Sequence, residues 1–209
     1  MTSAALPPRL NPFRRSQTEA LAYRFTPSRD GDPNPGHVAD VEGLLRRFEA
    51  LGRRAALVGA KGSGKTTLLL EIEGHLGQLG DGLKILPIRL RRDRRNLSSR
   101  EQTALGGDLS RTLVTVDGAE QLSPPRWWRL RRRTRSAWGV LITVHRPGRL
   151  PTLRFHRTDP ALLRELVRRL SDGAPMPPDD ELESLFQKHR GNLRECLAEL
   201  YDRRAAGRS

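Results

Sequence analysis

Residues 59–66 read Gly-Ala-Lys-Gly-Ser-Gly-Lys-Thr and satisfy G-x-x-x-x-G-K-[ST] at every fixed position. An apolar run at 55–58 precedes the motif, and an apolar helical stretch expected at 65–76 follows it. Strand, glycine-rich turn and helix in that order commit the chain to an α/β core. Glycines let the backbone wrap until successive N–H groups point inward at an anion. The N-terminus of the next helix adds about half a positive charge there. The motif therefore predicts that Gly59, Ala60, Lys61, Gly62, Ser63, Gly64, Lys65, Thr66 and Thr67 surround the phosphates of a nucleotide. Lys65 would bridge the β- and γ-phosphates, and the Thr66 hydroxyl would ligate Mg2+. Only four of the 38 basic residues are lysines, and Lys61 and Lys65 are two of them. A compact ammonium suits this position better than a planar guanidinium.

Downstream, apolar strand-like runs at 83–90, 112–116, 140–144 and 153–156 alternate with helical segments, including a basic helix at 126–136. Such alternation predicts a parallel sheet covered on both faces. The polar stretch 91–108 carries no clear period. Upstream, Val41, Leu44, Leu45 and Phe48 recur at helical spacing, with Gly52 placed as a C-cap. After Asp159 the pattern is purely helical. Asp159 caps a helix lined by Leu163, Leu166, Val167 and Leu170, and a Pro/Gly-rich connector follows at 171–178. Two more helices carry Leu182, Leu185 and Phe186, then Leu193, Cys196, Leu197, Leu200 and Tyr201. The expected organisation is a flexible arm at 1–36 (with a short strand at 21–25), a nucleotide-binding core at 37–158 and a helical lid-like subdomain at 159–209.

A second acidic site follows the strand at 112–116, which ends in Asp117. That carboxylate is expected to hold the magnesium through a water. Glu120, three residues on, either orients an attacking water as a base or merely caps the next helix. Thr143 or His145, at the end of the following strand, could sense the γ-phosphate, although a lone histidine is more often structural. His156 and His189 have no partners at metal-like spacing and are assigned no role.

This order of motifs resembles the AAA+ and related additional-strand P-loop ATPases, and the chain as a whole resembles uncharacterised bacterial ATP-binding proteins. The resemblance covers about residues 38–203. It implies a three-layer P-loop NTPase sheet of about five mainly parallel strands, one inserted between the Walker A and Walker B strands, with a small C-terminal helical lid. The run Gly191-Asn-Leu-Arg194-Glu-Cys-Leu is similar to the sensor 2 motif, which would assign Arg194 to the γ-phosphate. The chain departs from the pattern where Asp117 is followed by Gly118, since many such ATPases carry the catalytic Glu there.

Net charge bears on partners. The chain carries +14, with a pI of about 11.4. From residue 121 to 158 there are ten arginines and no Asp or Glu. Arg126, Arg129, Arg131, Arg132, Arg133 and Arg135 cluster beside Trp127 and Trp128. Three readings stand: a DNA or RNA contact, a solvated helix with its tryptophans packed on the sheet, or a contact with a protein partner or a second copy. The single cysteine, Cys196, rules out an intramolecular disulfide framework and fits a cytoplasmic setting. No apolar run is long enough for a membrane span. The function expected is a Mg2+-dependent ATPase acting as a switch or motor subunit, with Lys65, Asp117 and Glu120 as its catalytic residues. A small kinase and a nucleotide-dependent nucleic-acid-binding module with negligible turnover are the alternatives.

Overall fold

The computed structural model describes residues 41–78, 82–171 and 176–206. The expected arm and short strand within residues 1–40 lie outside them. Two compact units emerge. Residues 41–59 and 68–155 form the first, and residues 60–67 together with the described part of 156–209 form the second.

The first unit is built on a five-stranded sheet of order β2-β3-β4-β1-β5. Its strands are β1 (Arg54–Gly59), β2 (Lys84–Arg89), β3 (Thr112–Asp117), β4 (Gly139–Val144) and β5 (Thr152–His156). β1 pairs parallel to β4, β4 to β3, and β3 to β2. The central strands are buried on both faces, which is why 55–58 and 140–144 read as continuous apolar runs rather than alternations. Side-chain alternation separates the two faces. Ala56, Val58, Val114, Val116, Ile142 and Val144 lie on one of them, packed with Leu105, Leu122 and Leu130 in one apolar cluster. On the other face Phe48 and Leu113 crowd Gly139, and Glu73 reaches across to Arg89 and Thr115. Helices therefore cover both sides. These are α1 (Val41–Ala50) and α2 (Lys65–Gln78) on the Phe48 face, and α3 (Ser99–Ala104) and α4 (Pro124–Arg133) on the Leu130 face.

Helix α3 lies within the stretch that shows no period in the sequence. It is held by local chemistry. Ser98 and Glu101 form a capping box, in which the Glu101 Oε2 accepts from the Ser98 N–H at 2.7 Å and from Arg94. Burial works against the ionised Glu101, but Ser98 and then Arg94 outweigh it and hold the carboxyl below its ordinary value. Leu105 and Leu109, just beyond the helix, supply the buried apolar contacts.

The C-terminal part of the second unit comprises α5 (Pro160–Ser171), α6 (Asp179–Lys188) and α7 (Leu193–Ala205). Asp159 caps α5 by accepting from the Leu162 N–H at 2.8 Å. Leu163, Leu166, Val167, Leu182, Leu185, Cys196 and Leu197 form its core. Burial pushes the Cys196 thiol up to about 11, so this cysteine is a small apolar filler. No described helix is long and apolar enough to cross a membrane.

Candidate functional site: a phosphate-type loop and an acidic strand edge

Gly59 closes β1, and the loop that follows belongs with the C-terminal helices. Two of its residues, Gly62 and Gly64, have φ of +78° and +86°. A Cβ on Gly62 would lie 1.8 Å from the Asn192 Oδ1 and 3.3 Å from the Arg194 backbone nitrogen. No side chain fits there, so the N-terminus of α7 lies directly against the loop. Asn192 is also the N-cap of α7, accepting from the Glu195 N–H. Lys61 adds an exposed ion pair to Glu195 at 3.0 Å. Arg194 itself is exposed.

Lys65 is 7% exposed, and its ammonium donates to the Ala60 carbonyl at 2.6 Å, spanning the loop from end to start. Thr66 and Thr67 are half-buried in the first turn of α2. That turn contains no acidic residue of its own to offset the positive end of the helix dipole. His156, buried in the same unit, holds the loop from below with Nδ1 at 3.0 Å from the Ser63 carbonyl. Because a carbonyl can only accept, the Nδ1 carries the proton. The Ser63 hydroxyl is buried with no hydrogen-bond partner among the described residues. An orphaned hydroxyl, a buried ammonium and a carboxylate-free helix start make a donor set matched to phosphate oxygens.

The sheet edge presents the carboxylates. Val116 is level with Ile142, so the next residues along, Asp117 and Thr143, face each other. The Thr143 hydroxyl donates to the Asp117 Oδ1 at 2.6 Å and accepts from the Gly118 N–H at 2.8 Å. This buried hydroxyl thereby holds the Asp117 carboxylate in place. Gly118 has φ +79°, and a Cβ on it would meet the Leu90 carbonyl oxygen at 2.6 Å. A glutamate cannot occupy that position. The next carboxylate comes from Glu120, in the 3-10 turn Ala119–Gln121. One of its oxygens lies 3.2 Å from the His145 Nε2; the other, Oε2, is buried with no hydrogen-bond partner among the described residues.

β1, β3 and β4 run parallel, so Gly59, Asp117 and Thr143 all stand at the carboxyl edge of the one sheet. Ligands of open α/β sheets bind at that edge. Two supports of the loop lie outside its motif, His156 against Ser63 and Asn192 against Gly62. Each acts on a loop far from it in the sequence, so no local pattern marks either.

Sheet order, loop and C-terminal helices together define the P-loop NTPase fold. The chain is similar to domain III of the Thermotoga maritima replication initiation protein DnaA, with a TM-score of 0.54 and 15% identity over 83% of this chain and 87% of that one. At that identity the likeness is one of fold. No protein-family model and no curated protein sequence matches the chain.

Proposed function

We propose that the chain is an ATP-binding protein of the AAA+ or additional-strand type that hydrolyses ATP with Mg2+. The observation that carries this reading is the 59–66 loop, with its two left-handed glycines, its buried lysine and its position at the start of α2. In this reading the loop amides and the Lys65 ammonium bind the β- and γ-phosphates, and the Ser63 hydroxyl gains a partner. Thr66 and Asp117 are the residues that would hold the metal, which when bound neutralises phosphate charge. Thr143 keeps the Asp117 carboxylate oriented. Glu120, fixed on one side by His145, has its second oxygen available to accept a proton from the attacking water.

The loop and α7 touch at Gly62, Asn192 and Glu195. Phosphate in the loop would therefore change what α7 packs on, and Arg194 at its first turn carries the charge to respond. This supports a switch, in which nucleotide state sets the position of the C-terminal helices. Phosphate release from ATP, with no added acceptor, tests the reading. Wild type should turn over, and Glu120→Gln should bind ATP yet lose a factor of about 10^2 to 10^4 in rate. Undiminished turnover in that variant would remove Glu120 as the base.

A further inference from the structure

Helix α4 stands apart in how its charges are disposed. Arg126, Arg129, Arg131, Arg132 and Arg133 lie within it and Arg135 just beyond, all exposed. Among the described residues none of the six pairs with a carboxylate, whereas Arg53, Arg89, Arg94, Arg164, Arg168 and Arg203 all do. The first turn of α4 holds Arg126 and no acidic residue, the reverse of what the helix dipole favours. The C-terminal end is closed by Arg54, which donates to the carbonyls of Thr134, Arg135 and Ala137. The helix is thus anchored while its outer charge is left unneutralised.

Two clefts flank it. One, of about 620 Å³, runs between α4 and the 95–102 segment, and Arg95, Asn96, Arg126, Arg129 and Arg133 line it. The other, of about 550 Å³, is lined by Arg131, Arg135 and Trp127. Trp128 and Arg132 line both and form the ridge between them. Trp128 is 57% exposed, with the Arg132 guanidinium 5.3 Å from its ring centroid. Trp127, by contrast, packs against the core under Arg149. Neither cleft has an Asp or Glu in its lining.

We propose that α4 and the 95–102 segment bind a single-stranded polynucleotide, with arginines on its phosphates and the Trp128 indole stacked on a base. Arg126, Arg129 and Arg133 recur at i, i+3 and i+7, giving one row of charge about 10 Å long. That row suits a backbone bearing a phosphate at every residue. An indole exposed at the ridge beside it suits an unstacked base, which a duplex does not offer. A protein partner is less well matched. Interface cores are rich in clustered apolar side chains, and here Trp128 is a single large apolar side chain exposed among guanidinium groups.

Fluorescence anisotropy of the full chain with labelled oligothymidylate and oligouridylate of about fifteen nucleotides tests this without ATP, and so independently of the phosphate loop. Four to five arginine contacts predict a slope of log affinity against log salt of about −3. Trp128→Ala should weaken binding about 5- to 100-fold at unchanged slope, and Trp128→Phe should restore most of it. Replacing Arg126, Arg129 and Arg133 together by Gln should flatten the slope by about 2. Binding of either oligomer supports the proposal, and their ratio names the polymer. The proposal is overturned if Trp128→Ala binds as wild type does. It is equally overturned if the triple variant keeps its slope, if a duplex of equal length binds more tightly, or if polyglutamate displaces the oligomer at equal charge.

Discussion

Replacing Gly62 by Ala probes the contact between the loop and α7. The native φ of +78° lies in the left-handed region, which costs a residue with a Cβ about 1–2 kcal/mol. The new methyl would sit 1.8 Å from the Asn192 Oδ1, so that side chain must leave its place. Its loss as the N-cap of α7 adds about 0.5–1 kcal/mol. Gly62→Ala should therefore destabilise the protein by about 1.5–3 kcal/mol, read from the midpoint of urea unfolding at unchanged slope. The Asn192→Ala background separates the two parts. With Asn192 shortened, the φ penalty remains together with a tight 3.3 Å approach to the Arg194 backbone nitrogen, which must give slightly. The two substitutions together should cost about 0.5–1 kcal/mol less than the sum of the single ones. Strict additivity, or a Gly62→Ala cost under about 0.5 kcal/mol, would refute this account of how the loop and α7 are joined.

Further outcomes follow from the same geometry. Thr143→Val keeps the shape but removes the hydrogen bonds to the Asp117 Oδ1 and from the Gly118 N–H, and it should cost about 1–3 kcal/mol in thermal or urea unfolding. It should also raise the Mg2+ concentration needed for half-maximal ATP hydrolysis. Acid should loosen the C-terminal helices. Lys188 and then Arg203 hold the Glu199 carboxyl down at about 2, and Arg168 and Arg169 do the same for Glu165. Since both folded values lie below the ordinary 4.5, their stabilisation is full above that pH and is lost as pH falls toward 2. Far-UV circular dichroism during acid titration should show the loss, and Glu199→Gln should make the profile shallower.

The local chemistry of this fold could be read from the chain. A motif with fixed spacing marks the loop, because a tight anion-binding turn needs glycine at set positions. Continuous apolar runs mark β1 and β4, because strands buried on both faces have no polar side. Three apolar stripes mark α5, α6 and α7. Two kinds of feature carry no such mark. Helix α3 is too short to show a period and is specified by Ser98 and Glu101, a cap inside a stretch otherwise dominated by charge. The rest depends on contacts distant in sequence. Nothing near Ser63 announces His156, and nothing near Gly62 announces Asn192. The Thr143 hydroxyl could be placed at the sheet edge from the strand pattern, but its commitment to Asp117 depends on the register of two neighbouring strands. Gly118, where the chain departs from the resembled pattern, is required by a left-handed turn against the Leu90 carbonyl.

Isothermal titration of ATP with Mg2+ into wild type and Lys65→Ala tests the central claim most directly. The account predicts measurable binding by wild type and loss of at least about tenfold in affinity in the variant, since a buried charge-assisted contact to phosphate is removed. Circular dichroism of the variant should match that of the wild type. Equal ATP affinity in two folded proteins would contradict the assignment of the 59–66 loop.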